Sequence, residues 1–376
     1  MHRVLLTFLT LLTFLTFLTF FIFLLPYCYQ ASRSHRRPPD FVRLRRTPPG
    51  KPPFLLMMKH LVLIDGHHLM YRAYWAIPRT LKTRSGEQTN TVFGVASMLL
   101  SILAKEEPDA FLFCFDEGDQ TFRHQEAEDY KAGRAETPDD FYVQIPRVHE
   151  LIDTFAIPHV SDSKFEADDL LCAYARAAEQ EGMRVTIVTG DRDALQLASD
   201  RIRIAIPHKG YQQAEYLGPK DIEAKYGVRP DQIASYKGLT GDQSDNLPGV
   251  KGIGPKSAAE LLQKYDTLQG VYEHLEEIRP SLRTKLGHDR EQAFFCERMA
   301  LLITDMPLPV SLADLALGQF PVERILGFFR TLEFTLLVKR FQSLLASPFG
   351  RAHCASKDLP VDHPAEVKAA DQLLLF

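Results

Sequence analysis

"HLVLID" (residues 60–65) decides the fold, because four consecutive apolar residues run straight into an aspartate. An apolar run without polar alternation is expected of a strand buried on both faces of a parallel sheet. "AFLFCFD" (110–116) and "RVTIVTGD" (184–191) repeat the plan, each closing on an aspartate. The segments between them, "TNTVFGVASMLLSILAKE" and "FEADDLLCAYARAAEQEG", read as helices. The strand–helix–strand rhythm predicts an α/β domain. In open sheets of this kind ligands bind beyond the carboxyl ends of the strands. Asp65, Asp116 and Asp191 are therefore expected to converge on one edge.

More acids join them. Glu166, Asp168 and Asp169 crowd into "FEADD", Asp193 follows Asp191 by two residues, and Asp242 and Asp245 lie three apart in the glycine-bounded "GLTGDQSDNLPG". Any one of these has an ordinary explanation, since acids favour the first turn of a helix and cap it. Nine carboxylates sharing a pocket would have to protonate or push it apart. Hard divalent cations with oxygen ligands remove that conflict, and magnesium or manganese suits this ligand set better than it suits histidine or thiolate. Two such ions close together activate a water and stabilise a leaving oxygen in phosphodiester hydrolysis.

Composition sets the outer bounds. The 376 residues, 45% hydrophobic and 24% charged, fit a globular chain of about two domains at roughly 100–200 residues each. Five cysteines at 28, 114, 172, 296 and 354 form no close pair, which points away from a disulfide framework or zinc site and toward a reducing compartment. The net charge is −4, yet residues 1–57 carry eight Lys/Arg against one acid, leaving −11 for the rest. An acidic body is unusual for a protein that handles nucleic acid, unless cations are bound within it.

"VLLTFLTLLTFLTFLTFFIFLL" (4–25) is long enough to cross a bilayer, and its basic, proline-rich flank would leave the body of the protein cytoplasmic. Its near-triplet Thr/Phe/Leu repetition is low in complexity, however, and a Met pair at 57 and 58 directly precedes the first credible strand. An over-long reading frame beginning properly near Met58 is the expectation; a membrane anchor is the alternative.

Two further motifs face a ligand. After Asp116 the chain reads "EGDQTFRHQEAEDYKAGRAETPDDF", in which Lys131 and Arg134 would share a helix face beside Tyr130. Such a face could be a solvated surface, or could clamp a phosphate while the tyrosine stacks a base. In "LPGVKGIGPKSAAELLQKY" (247–265), Gly249, Gly252 and Gly254 permit tight turns and Pro255 suits a first helical position. The N–H groups of such a helix start form an anion site. Pro255 between Gly254 and Lys256 excludes a nucleotide-hydrolase phosphate loop, and the motif reads as a helix-hairpin-helix module gripping a DNA backbone without base specificity.

With "LVLIDGHHLMYRAYWAIP", "FEADDLL", "TGDRDALQL" and "YKGLTGDQSDNLPGVKGIGPKSAAELL" in this order, residues from about 59 to about 345 closely resemble the 5′ nuclease family found at the front of bacterial DNA polymerase I, within the flap endonuclease superfamily. The resemblance implies an α/β fold: a PIN-like nuclease core with a parallel-rich sheet and helical arch, followed by a helix-three-turn-helix region of helix-hairpin-helix type. The expected domains are a leader at 1–57, a core at 58–230 with its arch at about 117–150, a DNA-binding region at 231–345 and a tail at 346–376. The resemblance makes Asp65, Asp116, Glu166, Asp168, Asp169, Asp191, Asp193, Asp242 and Asp245 the metal-site acids. It makes Arg72, Tyr130, Lys131 and Arg134 the substrate-handling residues. Arg123, Gly249, Lys251, Gly252, Gly254 and Lys256 become DNA contacts, with a potassium ion at the hairpin.

The implied activity is a 5′-3′ exonuclease and structure-specific flap endonuclease using two or more Mg2+ or Mn2+ ions, in primer or flap removal and repair. Its partner is DNA with a free 5′ end, flap or nick junction, with a separate DNA polymerase as a second candidate. A monomer in the cytoplasm, at the nucleoid and without a small-molecule cofactor, completes the expectation. The parent polymerase runs on for several hundred residues where this chain stops at Phe376, so a free-standing nuclease or a fragment is expected. A DNA-junction binding protein without turnover and a PIN-type ribonuclease are the rival readings.

Overall fold

Alternate side chains of the apolar strands feed two separate hydrophobic layers, and this division organises the molecule. The computed structural model describes residues 58–117, 123, 126, 131 and 137–355. Six strands, β1 (His60–Asp65), β2 (Ala110–Asp116), β3 (His159–Asp162), β4 (Arg184–Val188), β5 (Ile202–His208) and β6 (Gly210–Leu217), form one sheet in the order β3-β2-β1-β4-β5-β6. All neighbours are parallel except the antiparallel β5/β6 pair. Leu61, Leu63, Leu112 and Ile187 face one layer, whereas Val62, Ile64, Phe111 and Phe113 face the other.

The connections supply both layers. Helices α1 (Gly66–Ala76), α2 (Asn90–Glu106) and α3 (Ile145–Thr154) cover the Val62 face; α4 (Ala167–Gln180) covers the Leu61 face. Helices α5 (Pro219–Tyr226), α6 (Ile233–Thr240), α7 (Pro255–Tyr265), α8 (Leu268–Glu273), α9 (Pro280–His288) and α10 (Arg290–Ala300) follow the sheet. Ile233, Leu239, Leu262 and Leu286 continue the Leu61 layer. The helical region is thereby packed onto the same core that backs the strands.

The last helices return to the opposite layer. Helices α11 (Val322–Thr331), α12 (Thr335–Ala346) and α13 (Pro348–Ala352) place Phe329, Phe341 and Phe349 in the layer that holds Val62, α2 and Phe155. Arg340 fixes the register, donating to Ser97 O at 3.1 Å and to Ser101 Oγ at 2.7 Å on α2. Residues 346–355 were expected to be tail, yet Phe349 and Cys354 are buried. At the amino end of the sheet, the buried Glu106 carboxylate accepts from Tyr211, Tyr216, Arg203 and Thr186. Burial alone would raise its pKa, but these donors hold it below the ordinary value.

Candidate active site

The carboxyl ends of β1, β2 and β4, three neighbours at the centre of the sheet, carry the first acids. Asp65 closes β1 and caps α1: its Oδ1 accepts the N–H of His68 at 2.9 Å and its Oδ2 the hydroxyl of Thr189 at 2.7 Å. The strand-forming pattern at 184–191 ends at Val188, because Thr189 turns its hydroxyl to Asp65 and also receives the N–H of Asp191. Asp116 closes β2 and accepts the N–H of Ala167 at 2.8 Å, drawing the start of α4 to the strand ends. Burial and the neighbouring Asp116 charge push Asp65 up to about 7. Burial, then Asp191, Asp65 and Asp116, also raise Asp168 well above the carboxylate range, and its buried Oδ1 has no hydrogen-bond partner among the described residues.

A second group continues from the first. Asp191 Oδ1 accepts the N–H of Asp193 at 2.8 Å, and the Asp193 carboxylate pairs with the ammonium of Lys237, which also reaches Asp242 Oδ2 at 2.5 Å. Asp193 is raised to about 7 by burial and Asp191, with Lys237 opposing. Asp242 goes the other way: burial would raise it, but Lys237 and Ser244 hold it low. Asp245, also buried, is raised by burial first and Asp191 second. Lys237 was missed in the sequence, where it is one lysine in "YKGLTGD". Its only local signal is a place five residues ahead of Asp242.

The third group is the most deeply buried. Arg123 was expected to contact DNA, yet it is 2% exposed. Its guanidinium donates to Asp169 at 2.8 and 2.9 Å, to Glu166 at 3.1 Å, and to the carbonyls of Met299 and Leu301 at 3.0 Å each. A fork buried and occupied in this way has no face to offer a DNA backbone in this structure. Asp169, expected as a metal ligand, is fully buried with both oxygens engaged, since it also accepts the N–H groups of Ile303 and Glu166. It anchors the start of α4.

Lys131 pairs with Glu166 at 3.1 Å, and its N–H donates to Asp245 O at 3.3 Å. It sits in a turn at φ +61°, not on the expected helix face. Tyr130 and Arg134 lie outside the described residues. Arg72, on α1, donates to the His208 carbonyl and lines a cleft of about 450 Å³ together with His68, Trp75 and Lys209.

The hairpin lies between α6 and α7. Gly249 and Gly252 take φ +62° and +79°, and a Cβ on Gly249 would lie 2.2 Å from the backbone N of Gly241, so a side chain is excluded by both strain and space. Gly254 precedes Pro255 at the start of α7, in extended conformation. Lys251 and Lys256 are exposed. Lys251 N donates to Asp289 and Lys285 Nζ to Gly252 O, which braces the turn.

A chain of contacts thus links the acids from Asp65 through Thr189, Asp191 and Asp193 to Lys237 and Asp242, and from Asp116 through Ala167 and Glu166 to Lys131 and Asp245. Among the described residues no three His, Cys, Asp or Glu side chains make a ready cage for an ion. Carboxylates without counterions stand apart and take N–H and ammonium partners, as these do. The donor set is all oxygen, and Asp168 Oδ1 lacks a partner among the described residues, so the residues fit hard divalent cations.

Comparisons with known proteins identify similar sequences and folds. Residues 60–227 match the family described as 5′-3′ exonuclease, N-terminal resolvase-like domain, and residues 228–323 the 5′-3′ exonuclease, C-terminal SAM fold. DNA polymerase I of Bacillus subtilis is 39% identical over 283 residues, covering 75% of this chain and 32% of the polymerase. The thermostable DNA polymerase I of Thermus aquaticus is 42% identical over 289 residues, 77% of this chain and 33% of its own. The chain therefore spans about a third of the length of these relatives. Among solved structures, a T5 5′-exonuclease with bound divalent zinc has a TM-score of 0.54 at 19% identity, over 76% of this chain and 98% of that one. The catalytic core of Rad2 in complex with a DNA substrate gives 0.53 at 18%, over 78% and 93%. These two share the fold.

Proposed function

We propose, starting from the fact that this chain belongs to the 5′-3′ exonuclease family of nucleases, that it is a metal-dependent 5′-3′ exonuclease and structure-specific 5′ flap endonuclease acting on DNA. One observation supports this above the others: acids from five separate segments form a continuous, largely buried network at the strand ends, and within it an Asp168 oxygen has no partner among the described residues. Asp65, Asp116, Glu166 and Asp168 would hold one divalent ion and Asp191, Asp193, Asp242 and Asp245 a second, Mg2+ or Mn2+ suiting both. Bound there, the ions supply Lewis acidity at the phosphate and an activated water.

The chain's own residues do the rest. Lys131, partly exposed between Glu166 and Asp245, supplies positive charge where phosphate charge develops, with Arg134 and Tyr130 as its proposed companions and Arg72 as a further substrate cation. Asp169 and Arg123 hold the first turn of α4 so that Glu166 and Asp168 stay at the strand ends. The N–H groups at Gly254–Lys256, with Lys251 and Lys256, would grip a duplex backbone irrespective of sequence, with K+ as a candidate ion at the turn. The proposed substrate is a junction with a free 5′ end, a separate DNA polymerase being a second partner of a monomeric enzyme in the cytoplasm. Among the described residues no helix is long and apolar enough to cross a membrane, and residues 4–25 lie outside them.

Asp191→Ala tests the reading. Flap cleavage should fall more than about 100-fold, beyond the 10–100-fold usual for a residue that only supports a ligand, while binding to a flapped duplex in EDTA is retained. Equal loss of both would assign Asp191 to the fold or to DNA binding.

A further inference from the structure

Lys237 is a cation in the acid network that the proposed reaction does not use. It lies in the last turn of α6, is 7% exposed, and touches two carboxylates from different segments. Asp193 belongs to the turn that follows β4, in the nuclease core; Asp242 belongs to the loop that leaves α6 toward the hairpin. A lysine is rarely this buried, and burial is tolerated only where the ammonium is paired. Here the pair partners are two of the four acids proposed to hold a divalent ion.

An ammonium and a divalent ion cannot both sit between Asp193 and Asp242 without strong mutual repulsion, which water screens weakly in a buried site. Removing every cation leaves four carboxylates, Asp191, Asp193, Asp242 and Asp245, facing one another, a state that opens or protonates the pocket. Lys237 avoids both extremes because its four-carbon stem is flexible at one end and fixed to α6 at the other.

We propose that Lys237 is a resident counter-cation: its ammonium bridges Asp193 and Asp242 when no divalent ion is bound there, and leaves at least one of the two carboxylates when an ion binds. It keeps the nuclease core joined to the hairpin region in the ion-free protein, and it weakens the hold on the ion so that the ion exchanges. The inference rests on the metal-dependent reading above, and adds a competition that the reading does not require.

The test uses the full chain and reads Mn2+ binding directly, from the loss of free-ion electron paramagnetic resonance signal, alongside thermal unfolding. Lys237→Met removes the charge and keeps the length and apolar stem. Its melting temperature in EDTA should fall by about 5–10 °C, as for a broken buried pair. Its half-saturating Mn2+ concentration should fall about tenfold, since a like charge beside the ion is gone. Lys237→Arg, which retains the charge, should bind Mn2+ as wild type does. If Lys237→Met does not fold in EDTA, folding it in excess Mn2+ and titrating with a chelator reads the same affinity. Unchanged or weaker Mn2+ binding in Lys237→Met overturns the proposal, as does loss of DNA binding with Mn2+ affinity intact. Failure of the two readings is separable: a wild-type chain that neither binds Mn2+ nor cuts a flap sinks the metal-dependent reading, whereas wild-type binding and cleavage with unaltered affinity in the variant sinks this inference alone.

Discussion

Replacing Arg123 by alanine separates a structural clamp from a DNA contact. In the folded chain its guanidinium makes at least five hydrogen bonds, two of them to Asp169, whose side chain is fully buried. Deleting the arginine leaves Asp169 with the N–H groups of Ile303 and Glu166 as its remaining donors among those described above, and an uncompensated buried charge costs about 3–5 kcal/mol. At about 2 °C per kcal/mol for a chain of this size, the melting temperature falls by about 6–10 °C. Arg123→Lys keeps the charge but loses the fork, so its loss should be intermediate. Melts followed by circular dichroism in EDTA give the stability, and fluorescence anisotropy with a flapped duplex in EDTA, at a temperature where the variant is folded, gives the affinity. The clamp predicts a large drop in melting temperature with affinity within about threefold of wild type, less than the tenfold that 1.4 kcal/mol would bring. An unchanged melt with affinity more than tenfold weaker would refute it and restore Arg123 to the DNA interface.

Two other perturbations have definite outcomes. Asp193 has a folded-state value of about 7 against an ordinary 3.8, so the stability linked to its proton is fully present below about pH 3.8 and lost as pH rises through about 7. Asp193→Asn carries no such proton, and its stability relative to wild type in EDTA should therefore increase from pH 4 to pH 7 and level off above; a flat or shrinking difference in urea melts contradicts the assignment. Phe341→Ala, in the Phe155/Phe329 cluster formed by the returning helices, should cost about 3–5 kcal/mol by urea unfolding, and a cost below about 1 kcal/mol would show that α12 is not part of the core.

The central strands were legible because β1, β2 and β4 are buried on both faces and so read as unbroken apolar runs. Asp65 and Asp116 close their strands and Asp191 follows β4 by three residues, so the sheet itself brings the three together. The edges carried a weaker signal. β3 is four residues with one buried position, and β6 exposes Gln212 and Gln213, so neither offers a continuous apolar stretch. Helices α11–α13 are amphipathic, yet nothing in their own sequence says which layer they cover; that depends on Phe155 and α2, more than 150 residues earlier. Arg123 and Lys237 were obscured for the same reason. A basic residue looks alike in sequence whether it meets phosphate or a buried carboxylate, and the partners Asp169, Asp193 and the Leu301 carbonyl become visible only when distant segments are brought together.

In the proposed reaction the acids at the strand ends require cations. Titrating Mg2+ or Mn2+ against protein begun at Met58, with a 5′-labelled flap as substrate, tests this directly. The expected result is no cleavage in EDTA and cleavage at the flap junction that rises and saturates with the ion. Cutting that persists in EDTA, or an intact flap at every concentration of both ions, would contradict it.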